Sequence, residues 1–173
     1  AFYRVPGVGG DCLGKVLVSL YWKAKNFGFN SRFIKLASDM VNYMPEYASV
    51  RIQEALRERG LKINNARVLV VGVTYKKDVK DLRKSPAIDI IKRLKLKGAN
   101  VSYFDPLIPY LKINDLDTES VILTKRNLSR FDCVVIAADH SKVNYRYILN
   151  YAKLIFDTRN AYKGISNSKV VRL

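Results

Sequence analysis

The sequence predicts an α/β protein: a doubly wound parallel sheet of about five strands, preceded by an all-α segment built on a long helix. Two observations carry that expectation. From Ala66 onward, short β-branched runs alternate with helical or irregular segments, the pattern of a parallel sheet with ligands at the carboxyl ends of its strands. Before that point the apolar residues recur at helical spacing. The change of period divides the chain into segments 1–64 and 65–173.

In the first segment Leu13, Leu17, Leu20, Ala24 and Phe27 form one helical stripe, and "FGFN" with Gly28 closes it. Ser31 caps a second helix over 31–59, with Ile34, Ala37, Val41, Met44, Ala48, Ile52 and Ala55 along one side. Gly60 stops it. A helix of that size is about 40 Å long, and Pro45 should kink it or mark a junction. It needs a partner, either a second copy across a dimer seam or another part of a longer protein. In the second segment "ARVLVVGV" is a strand ending in glycine, and "SPAIDIIKRLKLKGA" is an amphipathic helix with Pro86 in its first turn. "NVSYFDP", "SVILT", "FDCVVIAAD" and "AKLIFDT" supply strands two to five.

The 173 residues are 49% hydrophobic, enough for a real core. No apolar run approaches the roughly 18 residues of a membrane span, and no signal-peptide pattern opens the chain. The glycines at 7, 9 and 10 arrive before any element could form, so the start reads as a cut inside a longer protein. Cys12 and Cys133 stand far apart and there is one histidine, which excludes a disulfide framework or zinc site and makes a reduced, cytoplasmic setting the expectation. The net charge of +16 calls for an anionic partner, and residues 61–173 carry +12 of it. Nucleic acid is not expected, because the basic residues are spread out and no helix-turn-helix, aromatic platform or basic helix accompanies them.

The densest chemistry is "VPGVGGDCLGK", residues 5–15. A thiolate is the nucleophile, and a helix N-terminus lowers a cysteine's pKa through unpaired N–H groups and the helix dipole. Cys12 stands at such an entry, with Lys15 one turn on. Gly7, Gly9 and Gly10 allow close approach of a bulky ligand. Asp11 can cap the helix, although its charge opposes a thiolate. The competing reading is a buried cysteine in a loop-to-helix turn. "GVTYKKDVKDLRKSPA" poses a similar choice. Its lysines and arginine suit phosphate oxygens, yet a solvated basic loop has the same composition. Ser85 and Pro86 read as helix cap and first-turn residue, Cys133 as core, and His140 as either a general base or a structural hydrogen-bonding residue.

"PGVGGDC" resembles the catalytic-cysteine motif of the UDP-glucose/GDP-mannose dehydrogenase family, and "GVTYKKDVKDLRKSPA" resembles its second signature. "WKAKNFGF", "RFIKLASDMVNYMPEY", "FDCVVIAADHS" and "FDTRNAYKG" match in order, so the resemblance covers essentially the whole chain. "MPEY" leans toward the branch acting on UDP-N-acetylhexosamines. The resemblance implies an all-α dimerisation segment and a Rossmann-like UDP-sugar-binding domain. It also implies oxidation of a sugar C6 alcohol to a carboxylate by two hydride transfers to NAD. Cys12 would capture the intermediate aldehyde and pass through a thioester. Tyr3, Gly7, Val8 and Gly9 align with a substrate-contacting loop. Tyr75 and Lys76 align with nucleotide-sugar contacts, Arg159 with a position near the nucleotide, and Lys15 and Arg83 with cofactor contacts. The partners implied are a UDP-sugar and a second copy through the long helix.

Three departures matter. The family's aspartate four positions after the cysteine is Val16 here, which removes a group that assists thioester hydrolysis. Asp11 stands where Ser or His is common, and "RV" replaces the first Pro-Gly of the substrate loop. No strand is followed by G-x-G-x-x-G, so the main NAD fingerprint is missing, along with the family's upstream lysine and general base. The expectation is therefore part of a nucleotide-sugar 6-dehydrogenase, inactive alone. The alternative is a non-catalytic relative that binds UDP-sugars and dimerises.

Overall fold

The computed structural model describes residues 5–10, 12–113 and 116–173, with the side chains of 12 and 13 excepted. Tyr3 and Asp11 lie outside the described residues. Two helices open the chain: α1, Cys12–Asn26, and α2, Arg32–Arg57. The Ser31 side chain accepts from the Ile34 N–H at 3.5 Å, the expected cap. At the other end Gly60, at φ 73°, lets the Leu61 N–H turn back to the Leu56 carbonyl, which stops the helix. The helix runs unbroken through Pro45, and its buried residues begin there: Pro45, Ala48, Ser49, Ile52, Ala55 and Leu56. Pro45 thus marks a junction between an exposed half and a core half.

The strands are β1 Arg67–Val71, β2 Asn100–Phe104, β3 Tyr110–Ile113, β4 Leu116–Glu119, β5 Cys133–Ile136, β6 Ile155–Asp157 and β7 Val170–Arg172. The remaining helices are α3 Pro86–Leu96, α4 Lys125–Arg130 and α5 Tyr145–Tyr151. A five-stranded sheet has the order β2-β1-β5-β6-β7, parallel throughout. The direction of winding reverses between β1 and β5. Side-chain alternation builds a core on each face. Val68, Val70, Cys133, Val135 and Phe156 meet α3 and the core half of α2. Leu69, Val71, Val134, Ile136 and Ile155 meet Leu128 of α4 and Ile148 of α5. The long helix therefore shares one core with the sheet. Glu46 also ties α2 to α3 through Arg93 and Lys97. Burial opposes the charge on Glu46, but the two cations prevail and hold its carboxyl below the usual range.

The sheet has the expected number of strands but not the expected membership. "SVILT" is not a strand. The Val121 N–H donates to the Tyr103 carbonyl at 2.9 Å, and the segment then turns away so that Thr124 can cap α4 by accepting from the Asn127 N–H at 3.1 Å. The fifth place goes to β7, which pairs with β6 in register Ile155 to Val170. The antiparallel pair β3–β4 is an addition that the sequence reading did not contain.

Candidate functional site

The glycine-rich loop lies on the second signature. The Gly10 N–H donates to the Arg83 carbonyl at 3.0 Å. A methyl group on Gly9 would sit 2.5 Å from Tyr75 Cβ and 2.7 Å from the Lys84 carbonyl oxygen. One on Gly10, at φ +79°, would sit 3.0 Å from the Tyr75 ring. The neighbours that demand glycine are thus protein atoms: the expected close approach of a ligand to this loop is, in the structure, the close approach of the Tyr75–Lys84 segment. Beside the contact lies a cleft of about 390 Å³, walled by Gly7, Val8 and Gly10 on one side, Val41 and Pro45 of α2 on another, and Lys84 on a third.

Cys12 is the first residue of α1, the 15-residue helix that leaves this loop. Its side chain lies outside the described residues. Lys15 is exposed on the first turn, and Val16, where a carboxylate was expected, is exposed beside it. The other thiol, Cys133, is fully buried in β5; burial pushes its pKa up to about 12, so it is core, as expected.

The second signature leaves β1 and loops back to α3. Tyr75 is half-buried, its ring against Gly10 and its N–H on the Asp81 carbonyl at 3.0 Å. Lys76 is exposed. Arg83 is exposed, with its Nε and Nη2 on Asp81 Oδ2 at 3.0 and 2.6 Å, and these bonds hold the Asp81 carboxyl below its usual range. Ser85 occupies the N-cap position of α3, but its hydroxyl makes no cap hydrogen bond; Pro86 fills the first turn as expected. Arg159 follows β6, donates to Asp139 Oδ1 at 3.3 Å, and is linked through Asp139 to Lys77 at 3.9 Å. The structure therefore groups Gly7, Val8, Gly9, Tyr75 and Arg83 around one contact. Arg159 stands farther along the sheet edge with Lys77, by a second cleft of about 430 Å³ that includes Asp139, His140 and Asn160.

Sequence reasoning missed the hinge of this region, a buried polar cluster at the carboxyl ends of β1, β2 and β5. His140 Nε2 lies 3.1 Å from both Asp105 Oδ2 and Thr74 Oγ1, and the Asp78 N–H donates to His140 Nδ1 at 3.0 Å. Asp105 also accepts from the N–H groups of Val73 at 2.7 Å and Leu107 at 2.8 Å. The available signal was the acid in "FDP", directly after a strand and facing the switch point. His140 is structural rather than a general base: it is fully buried and every ring nitrogen is engaged. Burial works to raise the Asp105 carboxyl, but the hydrogen bonds from His140, Leu107 and Val73 outweigh it and hold the pKa below the ordinary 3.8. A depressed folded-state pKa contributes stability that is present above the unfolded value and lost as pH falls through the folded one. Asp105→Asn should accordingly cost about 3 kcal/mol at pH 7, since an amide nitrogen would face an N–H donor in the interior. The gap from wild type should narrow as pH falls below 4, measured by urea unfolding at both pH values.

At the switch point Gly72 packs against the Ala138 backbone, with the histidine cluster beside it, so the glycine after β1 answers to protein atoms rather than to a dinucleotide. Among the described residues no group of His, Cys, Asp or Glu could hold a metal ion, and no helix is long and apolar enough to cross a membrane.

Comparison with known proteins agrees with this geometry. Residues 69–164 match the UDP-glucose/GDP-mannose dehydrogenase family, UDP binding domain. The chain is 31% identical over 165 residues to the UDP-N-acetyl-D-mannosamine dehydrogenase of Methanococcus maripaludis, covering 90% of this chain and 35% of that protein. It is 29% identical over 152 residues to the UDP-N-acetyl-D-glucosamine 6-dehydrogenase of Pseudomonas aeruginosa, covering 86% of this chain and 35% of the relative. The solved structure of UDP-D-ManNAc dehydrogenase from Pyrococcus horikoshii superposes with a TM-score of 0.80 at 26% identity, over 97% of this chain and 39% of that one. The chain thus spans about a third of the length of the relatives it matches. With a match across more than half its residues, and with both signatures folded against each other, the chain belongs to the UDP-glucose/GDP-mannose dehydrogenase family.

Proposed function

We propose that this chain is the helical dimerisation segment, 1–64, and the UDP-sugar-binding domain, 65–173, of a cytoplasmic NAD-dependent UDP-N-acetylhexosamine 6-dehydrogenase. One observation carries the reading: the glycine loop that leads to Cys12 is seated on the Tyr75–Lys84 segment, so a sugar diphosphate held by that segment would present its sugar toward the cysteine. In this reading Lys76 supplies a compact charge to the diphosphate, with Tyr75 and Arg159 as further nucleotide contacts. Gly7, Val8 and Gly9 line the sugar's path, and the family resemblance adds Tyr3 as a substrate contact. NAD would meet this chain on the helical side, where Lys15 and Arg83 offer cations for its diphosphate. When bound there, NAD supplies the hydride acceptor. The exposed apolar half of α2, including Phe33, Leu36, Met40 and Tyr43, supports a homodimer through that helix.

The test is binding. UDP-N-acetylmannosamine at about 100 times its Kd should stabilise the chain by about 2.7 kcal/mol, roughly a 5–10 °C rise in Tm, and random DNA at moderate salt should not. Lys76→Ala should remove most of that rise while leaving the unliganded Tm within about 2 °C, because Lys76 is exposed. No rise with wild type would refute the reading. The exposed Val16 favours one variant of it, a relative that binds UDP-sugars without releasing product. A stable thioester after one turnover, in a chain of the relatives' full length, would identify that variant.

A further inference from the structure

We propose that His140 is a positioning residue for the nucleotide: its neutral imidazole pins both ends of the Lys76–Asp78 turn, and so holds Lys76 where a UDP diphosphate would meet it. The proposal rests on the UDP-binding reading. Nδ1 faces a backbone N–H, that of Asp78, at 3.0 Å, so Nδ1 is the acceptor and the ring proton is on Nε2. That proton is shared between Asp105 Oδ2 and Thr74 Oγ1. Thr74, accepting from the ring, donates its own hydroxyl proton to the Lys76 carbonyl at 2.9 Å. One end of the turn is thus fixed through Thr74 and the other through the Asp78 amide, with Lys76 and Lys77 between them.

The turn needs such a hold. Asp78 adopts a left-handed φ of 58°, unusual for a residue with a side chain. Its carboxylate is committed to the Ser141 N–H at 2.8 Å and the Ser141 hydroxyl at 2.7 Å, which ties the same turn to the segment after β5. Loss of the imidazole acceptor would leave a half-buried amide unpaired and free the two lysines to drift.

The charged and titratable groups facing the ring are Asp105 from the end of β2 and Asp78 from the loop, whose Oδ1 is 3.7 Å from Nδ1. Asp139 adjoins it in the chain, Lys77 shares the neighbouring cleft, and Tyr145 of α5 donates to the His140 carbonyl. A proton on Nδ1 would confront the Asp78 N–H donor to donor and open that pin.

UDP titration calorimetry on the chain at pH 8 tests this with two substitutions. His140→Asn keeps an acceptor near the Nδ1 position, whereas His140→Gln extends its amide toward the Nε2 position and leaves the Asp78 N–H unpaired. At pH 8 the Asn variant should bind UDP within about threefold of wild type and the Gln variant about tenfold more weakly, the scale of one lost hydrogen bond. Equal affinities for the two variants would overturn the proposal. Should either variant fail to fold, 15N NMR of the wild-type ring decides: the Nε2–H tautomer supports the hold, and the Nδ1–H tautomer overturns it. Failure of wild type to bind UDP at pH 8 would instead refute the underlying UDP-binding reading.

Discussion

Gly72→Ala should lower the melting temperature by roughly 10 °C, the largest loss of stability expected from any single methyl group in this chain. Gly72 ends β1 at φ 82°, where an alanine would cost about 1 kcal/mol in backbone conformation alone. The greater cost is contact. The new methyl would lie 2.4 Å from the Ala138 carbonyl oxygen and 2.7 Å from the Ala138 nitrogen, backbone atoms that no rotamer change can move. Relief requires β1 and β5 to separate where Val71 pairs with Ile136, or the Gly72 N–H to leave the Phe104 carbonyl at 2.8 Å. Together the terms reach about 4 kcal/mol. Gly164→Ala is the control: φ is 76° and nothing lies within 4 Å of the added carbon, so only the conformational cost applies. Thermal unfolding that gave the two variants equal shifts would mean that the strands yield at the switch point. The Ala138 contact would then not be what requires glycine at this position.

The sequence misled where an element depends on distant partners and not where it is set locally. β1, α3, the Ser31 cap and the Gly60 stop were legible because each is a local matter of period, capping chemistry or backbone freedom. The β3–β4 pair was not, because Tyr110–Glu119 mixes apolar and charged residues and lacks a strong turn pair such as Asn-Gly. "SVILT" has strand composition but ends in Thr124, whose side chain is worth more as a cap on α4 than as a rung on the sheet edge. β7 is as short as β6 but has only the Val170–Val171 pair, without the longer apolar run of "KLIF" that marked β6. In the site, residue types pointed to an anion, but they did not indicate which protein groups would meet. The glycines suggested a ligand; what presses on them is Tyr75 and the Lys84 carbonyl, 65 and more residues away. Ser85 looked like a cap and occupies the cap position, yet its buried hydroxyl has no hydrogen-bond partner among the described residues. Sequence spacing reports which groups are available, and only the fold reports which of them meet.

In a chain of the relatives' full length, Cys12→Ser should reduce formation of the sugar acid by roughly 10³-fold or more, the scale seen when a covalent nucleophile is removed. The proposed chemistry needs sulfur at this point. The thiolate adds to the C6 aldehyde carbon, its electron pair forming the C–S bond while the carbonyl oxygen takes a proton. The resulting carbon would bear the hydrogen that passes as hydride to NAD in the second oxidation, while the hydroxyl proton is lost, giving a thioester. Water then displaces the sulfur and releases the acid. A serine alkoxide is far costlier to form at neutral pH, and an ester hydrolyses less readily. The position suits a thiolate: Cys12 opens a 15-residue helix whose first N–H groups lack intrahelical partners, and Lys15 follows one turn later. A readout independent of turnover is available on the present chain. Cys133 is fully buried with its thiol pushed up to about 12, so iodoacetamide at pH 7 should place one adduct on the folded protein, at Cys12, and UDP-N-acetylmannosamine should slow it. Should Cys12 react no faster than Cys133, or the serine variant keep its rate of acid formation, the sulfur is a packing residue and the oxidation must run by another route.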